Sequence, residues 1–205
     1  MMIRISLFLF SIVLQYSMLS VTAKAGESST FDSEKRPEKW AVNFGHWEPE
    51  DGVLVCRQMK VDNHAAASRW QIPMTDGTIN CRFQFQGANF FHIGFDPAKG
   101  TLDKKGHLYS LVITPDSASI KKHKDKADPQ SKDQTMATVK FAEPLTGWHT
   151  VNLKAEGNTV VVNIDNQQQL TATEPTFGVK KPAVVFRVGG GDLLLDDVQV
   201  EVNKP

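Results

Sequence analysis

The chain has 205 residues, with 23 Lys and Arg against 23 Asp and Glu, so its formal net charge is zero. An even balance lacks the basic excess that holds nucleic acid, and no nucleic-acid partner is expected. Two cysteines and six histidines, none at metal-ligand spacing, exclude a cysteine-rich scaffold and give no metal motif, so no cofactor is expected.

Arg4 precedes an apolar run over residues 5–14, and Ala23, Lys24 and Ala25 follow as a small-residue cleavage pattern. These are the parts of a secretory signal peptide over residues 1–25. Gln15, Tyr16, Ser17 and Ser20 interrupt the stretch before it reaches the roughly 20 apolar residues of a membrane span. The sequence therefore predicts a secreted or periplasmic protein with no membrane insertion after cleavage. Cleavage removes Arg4 and Lys24 and no acid, which turns the even balance into a net charge of −2. Residues 26–38, rich in Ser, Glu and Lys, read as a flexible leader. Residues 39–205 read as one domain.

Residues 40–44 and 53–58 are strand-like, and the stretch between them, with Pro49 and the pair Asp51 and Gly52, reads as a turn. Residues 65–71 follow as a strand. Residues 78–86 give the clearest one: Ile79, Cys81, Phe83 and Phe85 share one face, and Thr78, Asn80, Arg82, Gln84 and Gln86 the other. Residues 90–95 and 108–113 are two more strands, separated by a loop over 96–106. After a strand at 118–122, lysines interleaved with Asp125, Asp128 and Asp133 read as a solvated loop. Residues 137–141 are again strand-like. In the hairpin over 147–169, His149, Val151, Leu153 and Ala155 alternate with Trp148, Thr150, Asn152 and Lys154, and Val160, Val162 and Ile164 alternate with Thr159, Val161 and Asn163. Gly157 and Asn158 tolerate the positive φ of its turn. Strands at 168–173, 183–188 and 193–202 complete the chain. Short strands between turn signals, with no helical period beyond the leader, predict an all-β antiparallel β-sandwich. Cys56 and Cys81 both fall inside strand patterns, where they either pair across a sheet or remain buried free thiols.

Trp40 followed by Glu50-Asp51-Gly52-Val53-Leu54-Val55, the hairpin from Gly147-Trp148-His149 to Asn163-Ile164-Asp165-Asn166, and the closing Leu195-Asp196-Asp197-Val198-Gln199-Val200 together resemble the 3-keto-disaccharide hydrolase domain family. That family belongs to the concanavalin A-like lectin and glucanase superfamily of jelly rolls, and the likeness spans residues 40–202. The resemblance implies an exported jelly roll that takes a carbohydrate on its concave sheet. It also implies cleavage, as a hydrolase or lyase, of glycosides oxidised at carbon 3. Where the family carries a Tyr-Glu pair on a middle strand, this chain reads Gly106-His107-Leu108-Tyr109-Ser110-Leu111-Val112-Ile113, with no acid. Catalytic competence is thereby left open, and the alternative is a non-catalytic carbohydrate-binding or surface-interaction module.

The strand at 90–95 sets Phe91, Ile93 and Phe95 on one face and Phe90, His92 and Gly94 on the other. His92 is the candidate general base for removing the proton beside a sugar ketone, with Asp96 just past the strand end as its acid partner. The alternative is a surface histidine with no role. Arg187, between Phe186 and Val188, points away from their core side and is either a residue that binds sugar hydroxyls or one half of a structural ion pair. Tyr109 and Phe90 are the aromatic candidates for a sugar ring, with Trp47, Trp70 and Trp148 as further aromatics of which most belong to a core. Asp196 and Asp197 either flank the last strand or hold a structural calcium. The alternating Glu, Asp and Glu of classical glucanases is absent, so retaining hydrolysis by paired carboxylates has no support.

Overall fold

The computed structural model describes residues 25–203, so the expected signal peptide lies outside it except for its last residue. The regular structure is one turn of 3₁₀ helix, Lys60–Asp62, and the strands β1 (Ala25–Ser29), β2 (Trp40–Phe44), β3 (His46–Glu50), β4 (Val53–Arg57), β5 (Ala66–Trp70), β6 (Gly77–Phe95), β7 (Tyr109–Thr114), β8 (Ser117–Lys122), β9 (Gln134–Lys140), β10 (His149–Glu156), β11 (Thr159–Ile164), β12 (Gln168–Thr173) and β13 (Val184–Val202). No helix among the described residues is long and apolar enough to cross a membrane.

Every named pairing is antiparallel, and β6 and β13, each 19 residues long, run side by side through two layers. The first half of β6 pairs with β10, its second half with β7. The first sheet therefore runs β12-β11-β10-β6-β13, with β4, β3 and β1 beyond the second half of β13. The second runs β2-β5-β13-β6-β7-β8-β9. The bend falls where Gly87 and the run Gly189, Gly190 and Gly191 interrupt the ladder with register shifts. The two expected pairs of separate strands are thus two long strands folded over the core.

The layers face each other through their apolar halves. Phe83 of the first sheet and Phe91 of the second lie 5.5 Å apart, ring to ring. Ile79, Phe83, Val151, Leu153, Val160 and Val162 are buried in one core, with Phe85 packed against it. The hairpin β10–β11 closes through Gly157 and Asn158, and only Gly157 takes a positive φ, 54°. That is the II′ pattern, in which glycine is needed at the first central position alone.

Two local expectations are corrected. The stretch 46–52 is mostly strand: β3 pairs with β4, and Trp47 is buried. Pro49 fits because β3 is an edge, where a missing N–H breaks no ladder bond. The leader at 26–38 is not a solvated arm, since β1 pairs with the end of β13 and Phe31 packs edge-on against Trp40, centroids 5.9 Å apart. The two cysteines are free and buried, which decides between the two sequence readings.

Candidate functional site

On the outer face of the second sheet, Arg187 of β13 stands directly opposite His92 of β6. Their neighbours Phe186, Val188, Phe91 and Ile93 are buried on the other side, so alternation alone carries both polar side chains outward. Phe90 shares this face, with its ring 4.6 Å from that of His92. The ring lies over Gly189, where a Cβ would come within 2.3 Å of it. Glycine is therefore what seats Phe90 beside the polar pair.

A chain of hydrogen bonds braces the guanidinium. Arg187 Nη2 donates to His107 Nε2 at 2.5 Å, and His107 Nδ1 donates to Asp96 Oδ1 at 2.5 Å. Asp96 Oδ2 also accepts from Arg69 Nη2 at 3.1 Å, and Arg69 Nη1 donates to Asn43 Oδ1. A carboxylate on Nδ1 fixes the histidine tautomer and leaves Nε2 as an acceptor, which a guanidinium suits. Burial raises the Asp96 pKa, but the bonds and charges of His107 and Arg69 outweigh it and hold the carboxyl below its ordinary range. Beside this chain, Ser110 Oγ of β7 is bonded to His123 Nε2 at 2.9 Å.

Burial and nearby cations disfavour the charged forms of His92 and His123. Burial, then Arg187, His123, Lys121 and His107, push the His92 pKa down to about 3. Burial and His107 lead the causes that take His123 to about 4. Nδ1 of His92 is buried and has no partner among the described residues.

His92, Arg187 and Phe90 are therefore together on one face. Asp96 belongs to the same cluster but does not serve His92; it orients His107 and Arg69. Tyr109 is corrected outright: it is fully buried, its ring 4.9 Å from Phe95 and 4.2 Å from Phe177. The period of β7 sends Tyr109, Leu111 and Ile113 into the core, and the outward place beside it goes to Ser110. Trp47 and Trp70 are also core, whereas Trp148 is 38 % exposed on the other sheet. Arg82 Nη1 stands 3.2 Å from Asp197 and 3.9 Å from Asp196, so a guanidinium occupies the place imagined for calcium. No cluster of three or more metal-ligating side chains occurs among the described residues. Sequence reading passed over Arg69, His107, Ser110 and His123 as site residues. Each lies on a different strand or loop, and only the pairing of β5, β13, β6 and β7 brings them together.

No protein-family model matches the sequence, and no curated protein matches it. Solved structures do match. The carbohydrate binding module CBM66 from Bacillus subtilis is 15 % identical over 78 % of this chain and 94 % of its own, with a TM-score of 0.62. The laminarinase from Rhodothermus marinus is 13 % identical over 89 % of this chain and 99 % of its own, with a TM-score of 0.65. A carbohydrate esterase of the Shiga toxin-encoding bacteriophage phi24B is 15 % identical over 89 % of this chain and 100 % of its own, with a TM-score of 0.58. At such identities the likeness is one of fold, an antiparallel β-sandwich of the jelly-roll kind.

Proposed function

We propose that this protein binds a carbohydrate on the outer face of its second sheet, at His92, Arg187 and Phe90, without turning it over. The observation that carries this reading is the chain from Asp96 through His107 to Arg187, which holds a guanidinium in place beside a neutral imidazole and an aromatic ring. A fixed guanidinium offers paired donors to sugar hydroxyls or to a carboxylate. Phe90 supplies an apolar flank for the CH face of a ring. That a carbohydrate binding module and a laminarinase share the fold adds support.

Cleavage of a 3-keto-glycoside, implied by the family resemblance, needs a base beside the ketone. An imidazole with its pKa near 3 has little drive to take a proton at neutral pH. Asp96, the other candidate, is committed to His107 and Arg69. These two facts favour recognition over hydrolysis. Export through the leader at residues 1–25 is part of the same proposal and rests on sequence alone.

The test is a glycan array probed with the purified protein, followed by titration of the best ligand against Arg187→Ala. Loss of charge-assisted hydrogen bonds of roughly 1.5–3 kcal/mol predicts about 10- to 150-fold weaker binding. An array without a ligand, or equal affinity for the variant, contradicts the proposal. Incubation with 3-keto-glycosides is expected to release no product, and release abolished by His92→Ala would establish turnover instead.

A further inference from the structure

The first sheet carries a different arrangement on its own outer face. Asn163 of β11 is in register with Asn152 of β10, Asn152 with Asn80 of β6, and Asn80 with Gln199 of β13. Four amides thus form one row across four adjacent strands. With strands about 4.8 Å apart, three gaps give the row a length of about 14 Å. It lies along a groove of about 450 Å³ that all four residues help to line.

Asparagine is poorly suited to strands, so a row of it on a sheet is not what strand stability alone would select. Within the row Asn152 Nδ2 donates to Asn80 Oδ1 at 2.5 Å, and at its β13 end Gln199 Nε2 donates to Glu201 Oε1 at 3.1 Å. The three asparagines are half-buried and Gln199 is exposed. A side-chain amide carries both donors and an acceptor, and the sites those two bonds leave open are the combination that matches hydroxyls on neighbouring carbons. Beside the middle of the row, two residues further along β6 from Asn80, Arg82 lies over the Trp148 ring, 4.7 Å from its centroid, and bonds Asp197 at 3.2 Å. Its charge is answered there by Asp197, so the row itself presents neutral polar groups.

We infer that this amide row is a second glycan-binding site, specific for a neutral, linear oligosaccharide that lies across the strands. The length of the row suits a chain of sugars rather than a single one. Its chemistry separates it from the second sheet, where Arg187 offers a cation. This inference is independent of the proposed function, because the two faces share no side chain.

The experiment uses cellohexaose and laminarihexaose, titrated into the ¹⁵N-labelled protein with the side-chain amide resonances as readout. The expected result is movement of the Asn80, Asn152 and Asn163 amide signals with at least one of the two sugars. Asn152→Ala and Asn163→Ala should each weaken that binding about 5- to 10-fold, as loss of one or two hydrogen bonds implies. Gln199→Ala, at an exposed position, gives a smaller loss with no risk to folding, and Arg187→Ala leaves this affinity unchanged. Absence of shifts with both sugars overturns the inference. So does binding that ignores all three amide variants, or binding that Arg187→Ala abolishes. If the hexasaccharides bind the row while no glycan depends on Arg187, the second site stands and the reading of the second sheet falls.

Discussion

Replacing Asp96 by Asn tests the brace behind Arg187 while keeping the side chain's shape and one acceptor oxygen. What goes is the negative charge set between Arg69 and His107. Exposed ion pairs contribute about 0–1 kcal/mol, and removing one partner of a buried pair costs about 3–5 kcal/mol. The Asp96 side chain is 23 % exposed, which places the expected loss between these, at about 1.5–3 kcal/mol at pH 7. The pH dependence follows from the depressed carboxyl pKa. A group ionising more readily in the folded state stabilises above its unfolded pKa, about 3.9 for Asp, and that contribution disappears as pH falls through the lower folded value. Urea unfolding of both proteins, followed by tryptophan fluorescence, should therefore show a difference that holds from pH 7 to about 4 and shrinks below. Glycan affinity should fall too, since His107 loses its orienting anion and Arg187 its fixed acceptor. A difference under about 0.5 kcal/mol at pH 7, typical of an unconnected surface site, or one that persists undiminished at pH 3, would refute the brace.

Phe83→Ala should cost about 3–5 kcal/mol in urea unfolding, because the ring is fully buried between Phe85 and Phe91; a loss near zero would place it outside the core. His92 and His123, with pKa values pushed to about 3 and about 4, take up protons only in the unfolded chain as pH drops below about 6.5. Stability should then decline from that pH downward, and their imidazole NMR signals should stay still between pH 8 and 5, whereas a His92 midpoint near 6.5 would contradict the buried, cation-flanked placement. Burial raises both thiol pKa values, with Cys81 and Asp192 adding to the effect at Cys56, so neither should react with a thiol reagent at pH 8 until the protein is unfolded. Intact mass showing a disulfide would contradict the free, buried pair.

Much of the sandwich was legible because its strands have one dry and one wet face. Ile79, Cys81 and Phe83 alternate with Asn80 and Arg82, and the structure keeps that alternation residue by residue. The misreadings have physical causes. Glycines 87 and 189–191 looked like the ends of strands, yet they let two ladders bend without stopping. β1 has few apolar side chains, and its place is held by backbone pairing with β13, which composition does not report. Tyr109 was chosen for its chemistry, although the same period that faced His92 outward turns it inward. The Asp96, His107 and Arg187 chain and the amide row were illegible for one reason: both depend on which strand lies beside which, and at what register. Local sequence specifies how each strand alternates, while those pairings belong to the assembled sheet.

A crystal structure of the protein with the tightest ligand from the glycan array shows whether a carbohydrate sits on the second sheet against Arg187. Sugar oxygens should lie within hydrogen-bonding distance, about 2.7–3.2 Å, of the Arg187 guanidinium, with a ring edge or face against Phe90. A ligand held elsewhere, with Arg187 and His92 left uncontacted, would contradict this placement.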